Sequence, residues 1–363
     1  MHKHGFGLRS APVGAEPRSP GPRAPSSARR WDPVFFFDCR YGKIKLFQTA
    51  GLFNGVCKLK EKNNKEYQTL LIFNVLVFVF FTGLFLLGTF TDESIAASLY
   101  TPNSLVAKII TSCGVYPFFA FAVLFTGVLC EGIIHSGLPK PVKIILAAFA
   151  YLIATFVGFI GAGALVDGDC LGSLFPALNR NIPVIVGLCF VTNPPLLCLG
   201  FYLGAKKKDD DRLIKSVICL LVLLGITYGT MEIFKGVFHR PRYRLVVQGF
   251  EGIGYIPWYT PFHRAKEFIE SLGIPKGEFR SFPSGHAILS MSMVFILQFL
   301  SFLSGKLKNK KLILGIAGLI FSVIIMSTRM ILGAHYLSDV CAGAIISTVF
   351  ALIYTVIQHQ INK

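Results

Sequence analysis

The sequence predicts an all-α protein, a polytopic transmembrane bundle of about eight helices. Three observations predict it. Of 363 residues, 53% are hydrophobic, and the mean hydropathy is +0.60, too apolar for a soluble protein of this length. Runs of about 20 apolar residues or more recur along the chain, each long enough to cross a bilayer. Phenylalanine is abundant, at 34 residues, which suits lipid-facing helix surfaces.

The chain begins with a stretch, Met1 to about Pro33, rich in Pro, Arg, Ser, Gly and Ala. It lacks the apolar centre of a signal peptide and reads as a disordered cytosolic tail. From Val34 to Tyr67, Phe35, Phe36 and Phe37 mix with Lys43, Lys45, Lys58, Lys60, Lys62 and Lys65, the pattern of a segment lying on an anionic membrane face. The expected organisation is therefore a tail and interfacial segment over 1–66, then a membrane domain over 67–360. Spans are expected at about 69–90, 107–130, 142–166, 182–204, 213–234, 286–304, 312–332 and 338–358. In the fourth, Asn193-Pro194-Pro195 is expected to kink or break the helix. The long polar segment Lys235–Gly285 carries Tyr255, Trp258 and Tyr259, a grouping typical of the membrane–water boundary.

Span parity assigns faces. The fifth span ends, the sixth begins and the seventh ends on one face, so Lys235, His286, Arg329 and His335 arrive together. The opposite face collects the lysines before the first span, Lys140, Lys143, Lys206-Lys207-Lys208, Arg212 and Lys306–Lys311, whereas the short loops on the site face carry Asp92, Glu93, Asp167 and Asp169. The positive-inside rule then puts the site on the extracytoplasmic or lumenal face and both termini in the cytosol. Arg240, Arg242, Arg244, Arg264, Lys266, Lys276 and Arg280 on that face run against the rule; a site for an anion must concentrate cations. The net charge of +17 is explained by topology and an anionic substrate, with no nucleic-acid partner. The nine cysteines form no C-x-x-C pair, so neither a disulfide framework nor a zinc site is expected.

Three sets of residues carry chemistry. They are Lys235-x6-Arg242, then Pro283-Ser284-Gly285-His286, then Thr328-Arg329-x5-His335-x3-Asp339. Ser284 can cap a helix whose first amides, with Gly285 allowing close approach, face an oxyanion. Arg242 and Arg329 can each fork onto two oxygens and Lys235 can act as a point charge. Asp339, four residues after His335, is placed to accept from one ring nitrogen and leave the other as a lone pair, and His286 remains to protonate a leaving oxygen. Two imidazoles with opposite duties predict a bell-shaped pH profile near neutrality.

Together the three sets resemble the signature of the type 2 phosphatidic acid phosphatase superfamily, which includes lipid phosphate phosphatases and vanadium haloperoxidases. Tyr243 stands where that pattern has Pro, and Thr328 where it has Ser; Tyr243 is expected to alter the turn after Arg242. The resemblance spans about Lys235 to Gly343 and implies a six-helix core within the bundle. It implies a metal-independent, cofactor-free phosphatase acting on a lipid phosphate, of the phosphatidic acid, phosphatidylglycerol phosphate or polyprenyl diphosphate type, with membrane lipids as its surroundings. By that resemblance His335 is the nucleophile forming a phosphohistidine, Asp339 orients it, and His286 is the acid and later the base. Lys235, Arg242, Ser284, Gly285 and Arg329 hold the phosphate. Two other readings share these residues: a phosphotransferase passing the group to a lipid or sugar alcohol, and a non-catalytic phosphate-binding membrane protein or transporter.

Overall fold

The computed structural model describes the backbone from Phe47 onward apart from residues 208–211, 261–270 and 272, and side chains from Asn64 onward with the same gaps. The expected tail over 1–33 and the first part of the interfacial segment lie outside the described residues. The chain divides into two compact units, Met1–Asn54 and Gly55–Lys363. Of the first, residues 47–54 are described and helical; the second contains all eight candidate membrane spans found among the described residues. The boundary expected at 66/67 falls inside one continuous helix.

Among the described residues every regular element is helical, and eight helices or helix pairs are long and apolar enough to cross a membrane. In chain order they are α1 (Phe47–Leu99), α2 (Leu105–Ser112) continued by α3 (Tyr116–His135), α4 (Lys140–Leu165), α6 (Ile182–Ala205), α7 (Arg212–Val237), α9 (Gly285–Met291) continued by α10 (Met293–Leu303), α11 (Lys311–Ile331) and α12 (Leu337–Ile361). Two short helices, α5 (Leu171–Leu174) and α8 (Tyr243–Val246), sit in the connections. The α9–α10 span is the most enclosed and α6 the least. Ala287, Ile288, Phe295 and Ile296 are fully buried at the centre of the main core. Ile144, Ile145, Phe149, Leu152 and Phe156 of α4 are well exposed, as a lipid-facing surface requires.

Lipid competes with side chains for apolar contact, so bundle helices gain most where small residues bring backbones together. The α3–α6 pair shows this. A Cβ on Gly200 would lie 1.9 Å from the Leu124 carbonyl oxygen, and one on Gly127 would lie 2.4 Å from that of Leu197. Gly200→Ala is accordingly expected to force the helices apart at a cost of about 1–3 kcal/mol, seen as a lower melting temperature in detergent; an unchanged melting curve would refute this contact. Asn193 packs on Gly158 of α4, where a Cβ would meet its amide at 2.1 Å. Of the kink or break expected at Asn193-Pro194-Pro195, the break does not occur: α6 is helical from Ile182 to Ala205 with both prolines inside it. Tolerance of proline inside a membrane helix is common, because neighbouring helices and local adjustments compensate for the lost bond.

Candidate active site

The C-terminal ends of α7 and α11, the N-terminal ends of α9 and α12, and the α4–α5 turn meet around a cavity of about 320 Å³. Its wall includes Lys235, Arg242, Gly285, His286 and His335, so both imidazoles face one space. Arg329 and Asp339, both fully buried, stand behind this wall.

Each position follows from local chain geometry. Ser284 is the N-cap of α9, and its hydroxyl accepts from the Ala287 amide at 3.3 Å. Capping leaves the amides of Gly285 and His286 without intrahelical acceptors, at the positive end of the helix. Ser284 itself is buried and absent from the cavity wall, so it shapes the anion corner instead of lining it. A Cβ on Gly285 would lie 2.4 Å from Lys235 Nζ; only glycine lets this ammonium reach the helix start. Glu232, one turn before Lys235, pairs with Arg280 at 2.9 Å.

The His335–Asp339 pair differs from its expected form. Nδ1 of His335 lies 2.7 Å from the Ser281 carbonyl oxygen and 3.8 Å from Asp339 Oδ2. A carbonyl only accepts, so Nδ1 donates to it and Nε2 keeps its lone pair. The physical reason is the helix start. Because α12 begins at Leu337, His335 precedes the helix and the i, i+4 relation does not hold. Asp339 folds back on its own N-terminus and accepts from the Tyr336 amide at 2.8 Å. It also accepts from Ser281 Oγ at 2.5 Å and from Arg240 at 2.6 Å. Burial pushes the His335 imidazole down to about 4, with Arg329 and Arg242 reinforcing the shift and Asp339 opposing it.

Arg240 is a residue whose role the motifs do not reveal. Its guanidinium, 3% exposed, bridges Asp339 and Asp92 at 2.6 and 2.8 Å. It also donates to Ser338 at 2.9 Å and lies 4.0 Å over the Tyr336 ring. Asp92 of α1 in turn accepts from the Ser338 amide at 2.8 Å and from its hydroxyl. A chain of buried charges thus ties the first span to the start of the last. Tyr255, expected at the membrane boundary, turns inward toward Arg240 and Tyr336, and Trp258 stacks on Phe282.

Three guanidiniums converge on Asp169, in the turn between α4 and α5. Arg242 lies 2.7 Å, Arg244 2.9 Å and Arg329 2.9 Å from its carboxylate oxygens. Burial alone would raise this carboxyl, but Arg242, Arg329 and Arg244 outweigh burial and hold it well below the usual carboxylate range. Arg244 also forks onto Glu278 at 2.5 and 2.9 Å. The neighbouring Cys170, whose thiol burial pushes up to about 12, lies 3.5 Å from His286 Nε2. Nε of Arg242 and of Arg329 are buried without an acceptor among the described residues, so the cradle holds more donors than one carboxylate uses.

The two departures from the family pattern also have a physical account. Tyr243 is the first residue of α8, a position that suits proline because its N–H has no intrahelical acceptor. Arg242 is the N-cap of this short helix, and the Tyr243 ring packs edge-on against Tyr100 and Tyr336. The Thr328 hydroxyl pairs with that of Thr111 at 2.6 Å and donates to the Ile325 carbonyl.

An all-helical membrane bundle with a cation-lined cavity between two histidines defines the class of protein. Residues 216–363, from within α7 onward, match the model of the PAP2 superfamily, the superfamily whose signature the motifs resemble. This match supports a phosphatase-type function. No curated protein and no solved structure matches the chain.

Proposed function

We propose that this protein is an integral membrane phosphatase that removes a phosphoryl group from a lipid phosphomonoester or diphosphate through a phosphohistidine on His335, without a metal. One observation carries the reading: His335, its Nδ1 donating to Ser281, shares a cavity with His286, Lys235 and the Gly285 helix start. In the first step Nε2 of His335 attacks phosphorus while the bond to the leaving oxygen breaks, and His286 gives that oxygen a proton. In the second, water attacks phosphorus, its proton passes to His286, and the nitrogen–phosphorus bond breaks. Lys235, Arg242, Arg329 and the Gly285 and His286 amides of the Ser284-capped helix start hold the phosphoryl oxygens. Asp339 acts on His335 at one remove, through Ser281 and its charge. A tail in the bilayer delivers the head group to a cavity at one rim of the bundle, on the extracytoplasmic or lumenal face.

The test is phosphate release by purified protein in EDTA from a panel of phosphatidic acid, phosphatidylglycerol phosphate and polyprenyl diphosphates. Release from at least one member is expected. Release only in the presence of an alcohol acceptor, with a phosphorylated acceptor as product, would make the protein a transferase; no turnover of any member would refute the reading.

The acid limb of the pH profile should sit lower than two ordinary histidines suggest. His335 is the attacking base, and its pKa is held at about 4. The neutral form predominates above that value, so kcat/KM, corrected for ionisation of the substrate phosphate, is expected to fall only as pH drops through about 4. An acid limb between pH 6 and 7 would contradict this.

A further inference from the structure

The cations of the candidate phosphoryl site already hold an anion, and it comes from the chain itself. Asp169 accepts from Arg242, Arg244 and Arg329 at 2.7–2.9 Å, and its side chain is 11% exposed. Two of these arginines are the ones that the catalytic motifs assign to the phosphate. A planar carboxylate offers two oxygens, whereas a transferring phosphoryl group offers three terminal oxygens in a different geometry. The Nε donors of Arg242 and Arg329 that no described acceptor reaches are what a third oxygen would engage.

We infer that Asp169 is a resident competitor of the phosphoryl group: it occupies the cradle between turnovers, gives it up when a lipid phosphate binds, and returns to expel inorganic phosphate. This rests on the phosphatase reading above and names the residue that sets how tightly the site holds any oxyanion. Every incoming anion must displace the same carboxylate, so every apparent affinity falls by the fraction of time the cradle is open. The factor is the same for substrate and product and leaves their ratio unchanged, but it brings inorganic phosphate, which has no tail to hold it, to a weaker absolute affinity and so speeds its departure.

The turn is built for such an exchange. The Asp169 amide donates to Asp167 Oδ1 at 3.1 Å, and the Cys170 and Gly172 amides donate to the Asp167 carbonyl at 2.8 and 3.1 Å. Gly172 packs so tightly that a Cβ would lie 2.6 Å from the Val166 carbonyl oxygen. The backbone is therefore fixed, and rotation of one side chain is enough to empty the cradle. Arg244 keeps Glu278 as partner when Asp169 leaves. Arg242 and Arg329 lose their closest anion and turn to the substrate. Cys170, at 3.5 Å from His286, keeps the turn against the acid–base residue throughout.

The experiment compares wild type with Asp169→Asn, as full-length protein in lipid nanodiscs. The readouts are the apparent affinity for inorganic phosphate and for orthovanadate by thermal shift, and KM and kcat on the lipid phosphate turned over best. Asp169→Asn should bind both oxyanions about tenfold more tightly or better. It should also lower KM and lower kcat, because product no longer meets a competitor. An unchanged or weaker phosphate affinity overturns the inference. If the variant does not fold in plain buffer because three arginines face one another, preparation in phosphate or vanadate should rescue it, and failure of that rescue also overturns the inference. The underlying reading fails separately: wild type would then release no phosphate, or release it independently of His335. A wild type that works through His335 while Asp169→Asn binds phosphate no better leaves that reading standing and removes only this one.

Discussion

His335→Ala is expected to reduce phosphate release by a thousandfold or more, on the order found when an enzyme loses its nucleophile. The fold itself should tolerate the change. His335 lies between two helices, its described hydrogen bonds are to the Ser281 and Arg329 backbones, and alanine keeps the one from the His335 amide. The Asp339 carboxylate keeps Arg240, Ser281 and the Tyr336 amide as partners. The measurement is turnover in EDTA beside a melting curve, together with acid quenching of a radiolabelled substrate to look for phosphoenzyme. Wild type should carry acid-labile label and the variant none. A variant that keeps its label would place the nucleophile elsewhere, and the companion His286→Ala should then be examined for the missing label. If His286→Ala slows turnover but still accumulates label, the two imidazoles have the separate duties assigned to them, because the base that takes the proton of the attacking water in the second step is absent while the attacking nitrogen remains.

The spans were legible because each is a long apolar run, and all eight expected spans correspond to helices. The gathering of Lys235, His286 and His335 was legible for a different reason: parity alone puts the ends of alternate spans on one face. What spacing could not show is which side chain each cation meets. Arg240 and Asp92 are 148 positions apart, and Arg242 and Asp169 are 73 apart; no local period connects them. A signal was nevertheless present. Arg240, Arg242 and Arg244 lie on the face where the positive-inside rule disfavours them, and buried arginines need anions. The acids that parity places on that same face include Asp92 and Asp169. Those two acids read as topology markers, yet in the structure they are the counterions. The four-residue spacing brings His335 and Asp339 to 3.8 Å, but the helix starts between them, so the nearer partner of Nδ1 is the Ser281 carbonyl. Ser281 and Ser338 carry no pattern at all; their roles come from where the loop before α9 and the first turn of α12 meet buried carboxylates.

The network around Arg240 makes the second large effect. Replacing Arg240 by Met keeps length and removes charge, which leaves Asp92 and Asp339 facing each other without a counterion, both carboxylates buried. Breaking a buried ion pair from one side typically costs about 3–5 kcal/mol, and here one guanidinium serves two acids. Arg240→Met is therefore expected to melt well below wild type and to lose activity even at temperatures where it stays folded, since Asp339 and Ser281 support the nucleophile. A merely structural arginine would give the first effect and not the second. The decisive comparison adds Asp92→Asn. Alone it leaves Arg240 with Asp339 and should be milder; combined with Arg240→Met it removes the surplus carboxylate, so the double variant should be more stable than the sum of the singles predicts, by about 0.5–3 kcal/mol of coupling. Additive effects would mean that Asp92 and Arg240 do not act as a unit. Coupling in stability accompanied by recovered turnover would show that the first span, which lies outside the family match, holds the catalytic end of the last one in place through a single buried guanidinium.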